Sequence, residues 1–225
     1  MFSKAKIKFE ILLLQMLLLL ASSLSNASDI NFQKYSIPNL GEISIPLNME
    51  LQGGKYKELN NEVLEIINAR VDLGLSPDGR YVFQQKGLNS FDKNGFTTYA
   101  RIIIHTTLGN YSEYASLKDP YALTASERNQ LSQQLRTQTT QSLAKINIKI
   151  IRWYGIKPVK INGQNALEIS YLRQLGNNPY VAVRAYYFEN NDREHIVTVS
   201  YRLSDEKLWK PLFIKSLKSL KIISR

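Results

Sequence analysis

The spacing of hydrophobic and polar residues divides the first half of the chain into short extended segments and one helix. Residues 30–52 read as extended, with a turn at Asn39–Gly41 between two apolar stretches. Gly53 and Gly54 then interrupt the chain, and apolar residues at helical spacing predict a short amphipathic helix over about 57–70. The next predicted elements are a turn at 76–79, a strand at 81–85, a turn at 92–95 and a strand at 98–107.

A long polar helix is predicted to begin after Thr124. Thr124 and Glu127 have the spacing of a capping box, in which the two side chains satisfy free amides at a helix start. The apolar stripe that continues to about Ala144 is narrow, and the other positions are rich in Gln, Ser and Thr. This helix is therefore expected to lie on a surface.

The last third of the chain predicts an antiparallel meander followed by a helix. Asn162-Gly163 suits a two-residue type I′ turn, which needs positive φ at both positions. The predicted strands are 146–154, 159–161, 164–174, 180–189 and 194–203. Apolar residues from Leu208 to Leu217 predict a helix with Pro211 in its first turn, and residues 220–223 a final strand. The order predicts an α+β fold, a mostly antiparallel β-sheet with helices packed on its faces.

Residues 1–27 are predicted to be a signal peptide. Three lysines precede an apolar run of about 11 residues, Ile11–Ala21, which is shorter than the roughly 20 residues that a spanning helix needs. Ser25-Asn26-Ala27 fits the small-x-small cleavage rule, so we expect cleavage between Ala27 and Ser28 and a periplasmic or secreted protein. A retained N-terminal anchor is the alternative. After cleavage no transmembrane segment is expected.

Composition limits the chemistry of the mature chain, residues 28–225, which we expect to form a single domain. Of the 225 residues, 44% are hydrophobic and 21% charged, which is typical of a globular protein. There is no cysteine, so disulfides, thiolate metal sites and thiol catalysis are excluded. Removing residues 1–27 takes away three lysines and one glutamate, which changes the formal charge from +10 to +8 over 198 residues. Export makes nucleic acid an unexpected partner for this charge, and no nucleic-acid motif is present.

The signal segment, the extended start over 35–52, the meander over 159–203 and the helix–strand ending over 209–222 together resemble the PsbP-like fold group. This group includes the photosystem II extrinsic protein and bacterial exported proteins of the DcrB type. The resemblance covers most of the mature chain and is strongest over 145–223. It implies an antiparallel sheet sandwiched by helices and an accessory or assembly role rather than catalysis. It identifies no binding residues.

The residues offer few candidates for catalysis or metal binding. His105 and His195 are the only imidazoles, and a metal site would need both, together with carboxylates. A hydrolase could use carboxylates of the meander, namely Glu168, Glu189, Asp192 and Glu194. Asp92-Lys93-Asn94-Gly95 is similar to the start of a calcium loop but lacks its terminal acidic ligand, which favours a plain turn. We expect no catalytic residue, cofactor or metal.

Basic and aromatic residues are the remaining candidates for binding. Two basic clusters could attract anionic lipids or glycans: Lys145, Lys149, Arg152, Lys157 and Lys160, and Lys207, Lys210, Lys215, Lys218, Lys221 and Arg225. Arg173, Arg184 and Arg202 could form a guanidinium row, but a two-residue turn at Asn191-Asp192 would put Arg184 and Arg202 on opposite faces. The meander aromatics favour a half-buried sheet over a ligand wall: Trp153, Tyr154, Tyr171, Tyr180, Tyr186, Tyr187, Phe188 and Tyr201.

The sequence therefore favours an exported, non-catalytic accessory or binding protein of a bacterial envelope. Its expected partner is an envelope protein or an anionic envelope polymer or lipid. A cationic binder of anionic lipid or glycan, and an envelope hydrolase with a site assembled by the fold, are the two alternatives.

Overall fold

The computed structural model describes residues 30–71, 79–114 and 119–223. The predicted signal peptide and most of the predicted turn over 76–79 lie outside these ranges. The strands are β1 (Phe32–Ile37), β2 (Gly41–Pro46), β3 (Met49–Leu51), β4 (Arg80–Gln85), β5 (Ala100–Leu108), β6 (Ile148–Ile161), β7 (Gln164–Leu175), β8 (Val181–Asn190), β9 (Arg193–Arg202) and β10 (Lys221–Ile222). The helices are α1 (Gly54–Val71), α2 (Ala125–Ala144) and α3 (Glu206–Ser219).

The strands form two antiparallel sheets. The larger has seven strands in the order β3-β4-β5-β9-β8-β7-β6, and the smaller has three in the order β1-β2-β10. The predicted α+β class and the predicted meander, which becomes β6 to β9, are confirmed. Within the part of the chain described, no helix combines the length and apolar composition that membrane crossing requires.

The two faces of the seven-stranded sheet carry different helices. Trp153, Tyr171, Val183 and Ser200 lie opposite one another across β6, β7, β8 and β9 and so share one face. The Trp153 indole donates a hydrogen bond to Ser132 of α2 at 3.0 Å. We call this face the α2 face. Tyr201 follows Ser200 and therefore points to the other side, the α3 face, where its ring packs on Phe213 of α3 with centroids 5.9 Å apart.

Helix α3 lies between the two sheets and forms the centre of the core. It packs against both β2 and β9, and its Trp209 and Phe213 are each 2% exposed. Apolar side chains from the two sheets complete the core; among the most buried are Ile43, Ile45, Ile102, Ile104, Val197 and Val199. Because α3 packs on both sheets, β1, β2 and β10 form a separate sheet rather than extending the large one.

Two predictions that depend only on residues close together in the sequence are confirmed. Asn162 and Gly163 both have positive φ, 46° and 84°, as the predicted hairpin turn requires. Thr124 and Glu127 form the predicted capping box at the start of α2, and none of the residues of α2 is buried. Its position on a surface follows from that polar composition.

Two details differ from the predictions. Residues 148–161 form one strand, not two, because bulges at Ile150/Arg152 and Trp153/Gly155 absorb the irregularity and the edge position tolerates Pro158. Pro211 is not in the first turn of its helix, since α3 already begins at Glu206. Pro211 and Lys207 are both exposed, so water can bond the Lys207 carbonyl that loses its partner.

His195 belongs to the core of the α3 face. It is fully buried, and its Nδ1 lies 2.9 Å from the Thr106 hydroxyl. Burial disfavours the charged imidazole and the nearby Arg193 adds to the effect, which together lower the pKa of His195 to about 4. The folded protein therefore holds this side chain neutral at physiological pH.

Truncation of the α3 core should destabilise the protein strongly. We expect Phe213→Ala to lower the free energy of unfolding by about 3–5 kcal/mol, because a large buried ring is lost and a cavity remains. Leu208→Ala, at a position of α3 that is 47% exposed, is the matched control and should change it by no more than about 0.5 kcal/mol. Urea denaturation measures both, and equal effects would contradict the placement of α3.

Acidification should destabilise the fold through His195. Between pH 6.5 and about 4 the unfolded chain binds a proton that the folded protein does not, so the free energy of unfolding falls as the pH falls through this range. Urea denaturation at several pH values should show a shallower decline for His195→Gln than for the natural protein. His105→Gln, which removes a half-buried imidazole, is the control and should keep most of the decline.

Candidate anion-binding pocket

Three arginines from three different strands share the α2 face near one end of the sheet. Arg173 of β7 lies opposite Val181 of β8, which lies opposite Arg202 of β9. In the adjacent row, Arg101 of β5 lies opposite Ser200, two residues before Arg202. Residues opposite each other, or two apart on one strand, point to the same face, so the three guanidinium groups are brought to one side.

Tyr99 lies among these charges. Arg173 donates a hydrogen bond from Nη2 to the Tyr99 hydroxyl at 3.0 Å. The guanidinium carbons of Arg101 and Arg173 are 5.5 and 5.9 Å from the centroid of the Tyr99 ring, within the range of cation–π attraction. The phenol thus fixes the positions of two of the three cations.

The segment that carries Tyr99 is held by long-range hydrogen bonds. The buried Gln85 amide donates to the carbonyls of Gly95 and Thr98, at 2.9 and 2.8 Å, and its oxygen accepts from the Ala100 N–H at 3.2 Å. The Trp209 indole donates to the Thr98 hydroxyl at 3.0 Å, so the core helix α3 also supports this segment. These bonds place Tyr99 before any ligand is bound.

A cavity of about 270 Å³ opens among these residues. We call it the arginine pocket; its lining residues are Tyr56, Gln85, Leu88, Phe96, Thr98, Tyr99, Arg101, Arg173, Leu175, Asn178, Pro179, Val181 and Arg202. Three of them are cationic and none is acidic. No Asp or Glu in the described ranges forms an ion pair with Arg101, Arg173 or Arg202. The pocket therefore carries a local positive charge; a nearby carboxylate, that of Asp205, accepts a hydrogen bond from the lining residue Thr98 but forms no ion pair with the three arginines.

The Arg101 side chain has an unsatisfied donor. Its Nε is buried and has no hydrogen-bond partner among the described residues. A buried donor left without a partner costs about 1–3 kcal/mol, and more when the group is charged. An oxyanion in the pocket would supply the missing negative charge, and guanidinium groups suit carboxylate and phosphate geometry.

The positive charge of the arginines also affects the pKa of Tyr99. Burial alone would raise the pKa of the phenol, but the charges of Arg101 and Arg173 and hydrogen bonds from Ser200 and Arg173 outweigh it. The net effect lowers the pKa of Tyr99 below its ordinary value. A pocket that favours the phenolate in this way favours other oxyanions for the same reason.

The guanidinium row considered from the sequence is only partly present. Arg184 lies on the α3 face, opposite to Arg202, as the turn at Asn191-Asp192 predicts, and it is 3.8 Å from the Glu168 carboxylate. Arg101 takes its place in the cluster, and sequence reasoning missed it. Its neighbours come from β9, about a hundred residues later, so no local pattern could have identified it.

The two histidines cannot share a metal ion. His105 lies opposite Ile196 and points to the α2 face, whereas His195, one residue earlier, points to the α3 face. No group of three or more potential metal ligands occurs in the described ranges. Asp92 accepts a hydrogen bond from the Asn94 N–H at 2.9 Å and caps a 3₁₀ turn, Lys93–Phe96, so these residues form a turn as predicted.

The candidate carboxylates are also separated by the sheet. Glu189 and Glu194 lie opposite each other on the α2 face, where burial, followed by the charge of Glu189, raises the pKa of Glu194. Glu168 is buried on the α3 face beside a second cavity of about 350 Å³, 3.5 Å from the Lys157 ammonium. The other carboxylate of that cavity, Glu206, accepts a hydrogen bond from Lys210, which lowers the pKa of Glu206 and favours its ionised form.

The aromatic residues of the meander are divided between the two faces. Tyr186, Phe188 and Tyr201 are buried on the α3 face, and Trp153 stacks on Tyr171 on the α2 face with centroids 5.7 Å apart. They form no common ligand wall. Of the basic clusters, Lys215, Lys218 and Lys221 are exposed on α3 and β10, on the other side of the large sheet from the arginine pocket.

Comparison with known proteins identifies the fold. No protein-family model matches the sequence, and no curated protein is similar to it in sequence. A crystal structure of a Bacteroides thetaiotaomicron VPI-5482 protein aligns with 86% of this chain at a TM-score of 0.47 and 10% identity, and this chain spans 49% of that protein. A Pseudomonas aeruginosa protein of unknown function aligns over 87% of this chain and 98% of its own, at a TM-score of 0.42 and 13% identity.

The solution structure of cyanobacterial PsbP (CyanoP) from Synechocystis sp. PCC 6803 covers 88% of this chain and 96% of its own. Its TM-score is 0.51 and its sequence identity 14%. At this identity the likeness concerns the fold and transfers no binding residue. The order of the elements, the antiparallel topology and this alignment together show that the chain has a PsbP-like fold.

Proposed function

We propose that the protein is an exported, non-catalytic binding protein of the bacterial envelope that holds an anionic ligand in the arginine pocket. The observation that carries the proposal is the convergence of Arg101, Arg173 and Arg202 on one cavity without a carboxylate among its lining residues. All three arginines are half-buried, so solvent screens their mutual repulsion only in part. An anion bound among them would relieve that repulsion.

Binding suits these residues better than catalysis does. Acid–base chemistry needs a proton donor and acceptor close to one reacting atom. Here His105 and His195 lie on opposite faces of the sheet, and Glu168 and Glu194 also lie on opposite faces. The arginine pocket contains guanidinium groups, amides and one phenol, which are groups that hold and orient an anion.

Export is proposed from the N-terminal segment. Three lysines, an apolar run too short to span a membrane and a small-x-small site precede Ser28. The accessory role is consistent with the PsbP-like fold, although the fold by itself does not define a partner.

Expression in a Gram-negative host should place the protein outside the cytoplasm. We expect cell fractionation to find it in the periplasm or medium, and mass spectrometry to find a mature chain that begins at Ser28. Ala27→Arg should block processing because it removes the small residue before the cleavage site, while Ser22→Thr is the neutral control. A full-length cytoplasmic product would contradict export, and a full-length membrane-bound product would indicate a retained anchor.

The arginine pocket should bind simple oxyanions. We expect inorganic phosphate to bind the natural mature protein in calorimetric titrations at low salt, and Arg101→Gln and Arg173→Gln each to weaken binding about tenfold, as loss of a charge-assisted hydrogen bond implies. Arg136→Gln, on the exposed surface of α2, makes the same change of charge elsewhere and should leave the affinity unchanged.

The same variants separate this proposal from binding by the surface lysines. Vesicles containing anionic phospholipid test the alternative, with Lys215→Glu, Lys218→Glu and Lys221→Glu combined. Two results together would show that the lysine surface, and not the arginine pocket, binds the anion. These are vesicle binding that is lost in the lysine variant, and phosphate binding that is equal in the natural protein and in Arg101→Gln. Turnover of an envelope substrate by the natural protein would contradict the non-catalytic assignment.

A further inference from the structure

We infer that the ligand of the arginine pocket is a small amphiphilic oxyanion, with a carboxylate or phosphate headgroup and an apolar body of up to about eight carbon atoms. This inference rests on the proposed function and specifies the chemistry of its ligand. It depends on the apolar residues that line the pocket, because a compact anion would leave them without a contact.

Half of the pocket is apolar or aromatic. The side chains that contribute this surface are Tyr56, Leu88, Phe96, Leu175, Pro179 and Val181. Phe96 is 53% exposed and Leu175 is 44% exposed, and a ligand in the cavity could cover part of both side chains. Single exposed apolar residues are ordinary, but two large ones in the lining of one cationic cavity form a joint surface for an apolar group.

Phe96 is presented by a rigid turn. Asp92 caps the turn that carries it, and Gln85 donates to the carbonyl of the preceding Gly95 at 2.9 Å. Gly95 is itself buried, and a Cβ there would come within 3.0 Å of the backbone of Gly87 and Leu88. The exposed ring therefore sits on a closely packed support.

Leu175 is the last residue of β7, and the turn that follows it is anchored by backbone hydrogen bonds. The Asn178 N–H donates to the Leu175 carbonyl at 2.9 Å, and the Gly176 N–H donates to the Asn147 carbonyl at 3.2 Å. Because the backbone at both residues is already fixed, ligand binding does not have to order it, and their apolar contacts contribute to affinity.

The volume of the pocket limits the ligand. The cavity volume of about 270 Å³ lies just below the range of about 300–1,000 Å³ that is typical of pockets for small molecules, so the pocket suits a small ligand. Octanoate, with ten non-hydrogen atoms, is a ligand of this kind, whereas acetate is much smaller. A much longer chain would have to extend past the rim into solvent.

Calorimetric titration of the mature protein with acetate, hexanoate, octanoate and dodecanoate, each below its micelle concentration, tests the inference. We expect affinity to rise about fourfold for each methylene buried and to level off near eight carbons. Octyl phosphate distinguishes the two headgroups, and octanol, which lacks the charge, should bind at least about tenfold more weakly than octanoate. Phe96→Ala combined with Leu175→Ala should abolish the dependence on chain length while acetate affinity remains.

Leu108→Ala combined with Leu208→Ala is the control, since both leucines are exposed and lie outside the pocket lining. Urea denaturation of each variant confirms that it is folded. Equal affinity for acetate and octanoate, with both weakened by Arg101→Gln, would overturn the amphiphilic ligand but leave the proposed function intact. If neither the acids nor inorganic phosphate bind, both the inference and the proposed function fail.

Discussion

The structure depends on the burial of helix α3 between two sheets. Helix α3 packs on β2 on one side and on β9 on the other, and its Trp209 and Phe213 are almost completely buried. Burial of one such side chain contributes about 1.5–3 kcal/mol, a large part of the stability of an ordinary domain. The Trp209 indole also bonds Thr98, so the same side chain that completes the core holds the segment next to Tyr99. Fold and pocket are therefore linked by one residue.

The two faces of the large sheet are buried to different extents, and the less buried α2 face leaves room for a binding site. On the α3 face, Ile102, Ile104 and Val197 have no exposed surface. On the α2 face, the neighbouring Ile103 and Ile196 remain half-buried, and α2 packs against the edge strand β6. Because α2 is polar and buries none of its own residues, it adds little apolar cover of its own to this face. Charged side chains can occupy the partly open region because their stems pack on the sheet while their heads reach solvent or a ligand.

Signals within a few residues could be read from the sequence, whereas signals that depend on distant strands could not. Asn162-Gly163 and the Thr124–Glu127 pair each specify a local geometry through their own side chains or φ preferences, and both are found as predicted. The turn at Asn191-Asp192 even predicts that Arg184 and Arg202 diverge, since its length sets the register of β8 and β9. The pairing of Arg101 with Ser200 depends on the contact between β5 and β9, and no local sequence pattern predicts that contact. For the same reason the division into two sheets was not predicted, because it is decided by how α3 packs.

The arrangement of charge explains why the arginine pocket, and not the more numerous surface lysines, is the better candidate for a specific ligand. Lys34 and Lys210 each form an ion pair with a neighbouring carboxylate, and exposed lysines are solvated and flexible. Arg101 and Arg173 are held against the ring of Tyr99, and Arg202 donates to the Thr97 carbonyl at 2.8 Å. Fixed cations in a partly desolvated cavity attract an anion more strongly than solvated ones and lose less freedom when it binds. The PsbP-like fold thus holds three guanidinium groups on the α2 face, and the proposed counter-charge for them is a bound anion.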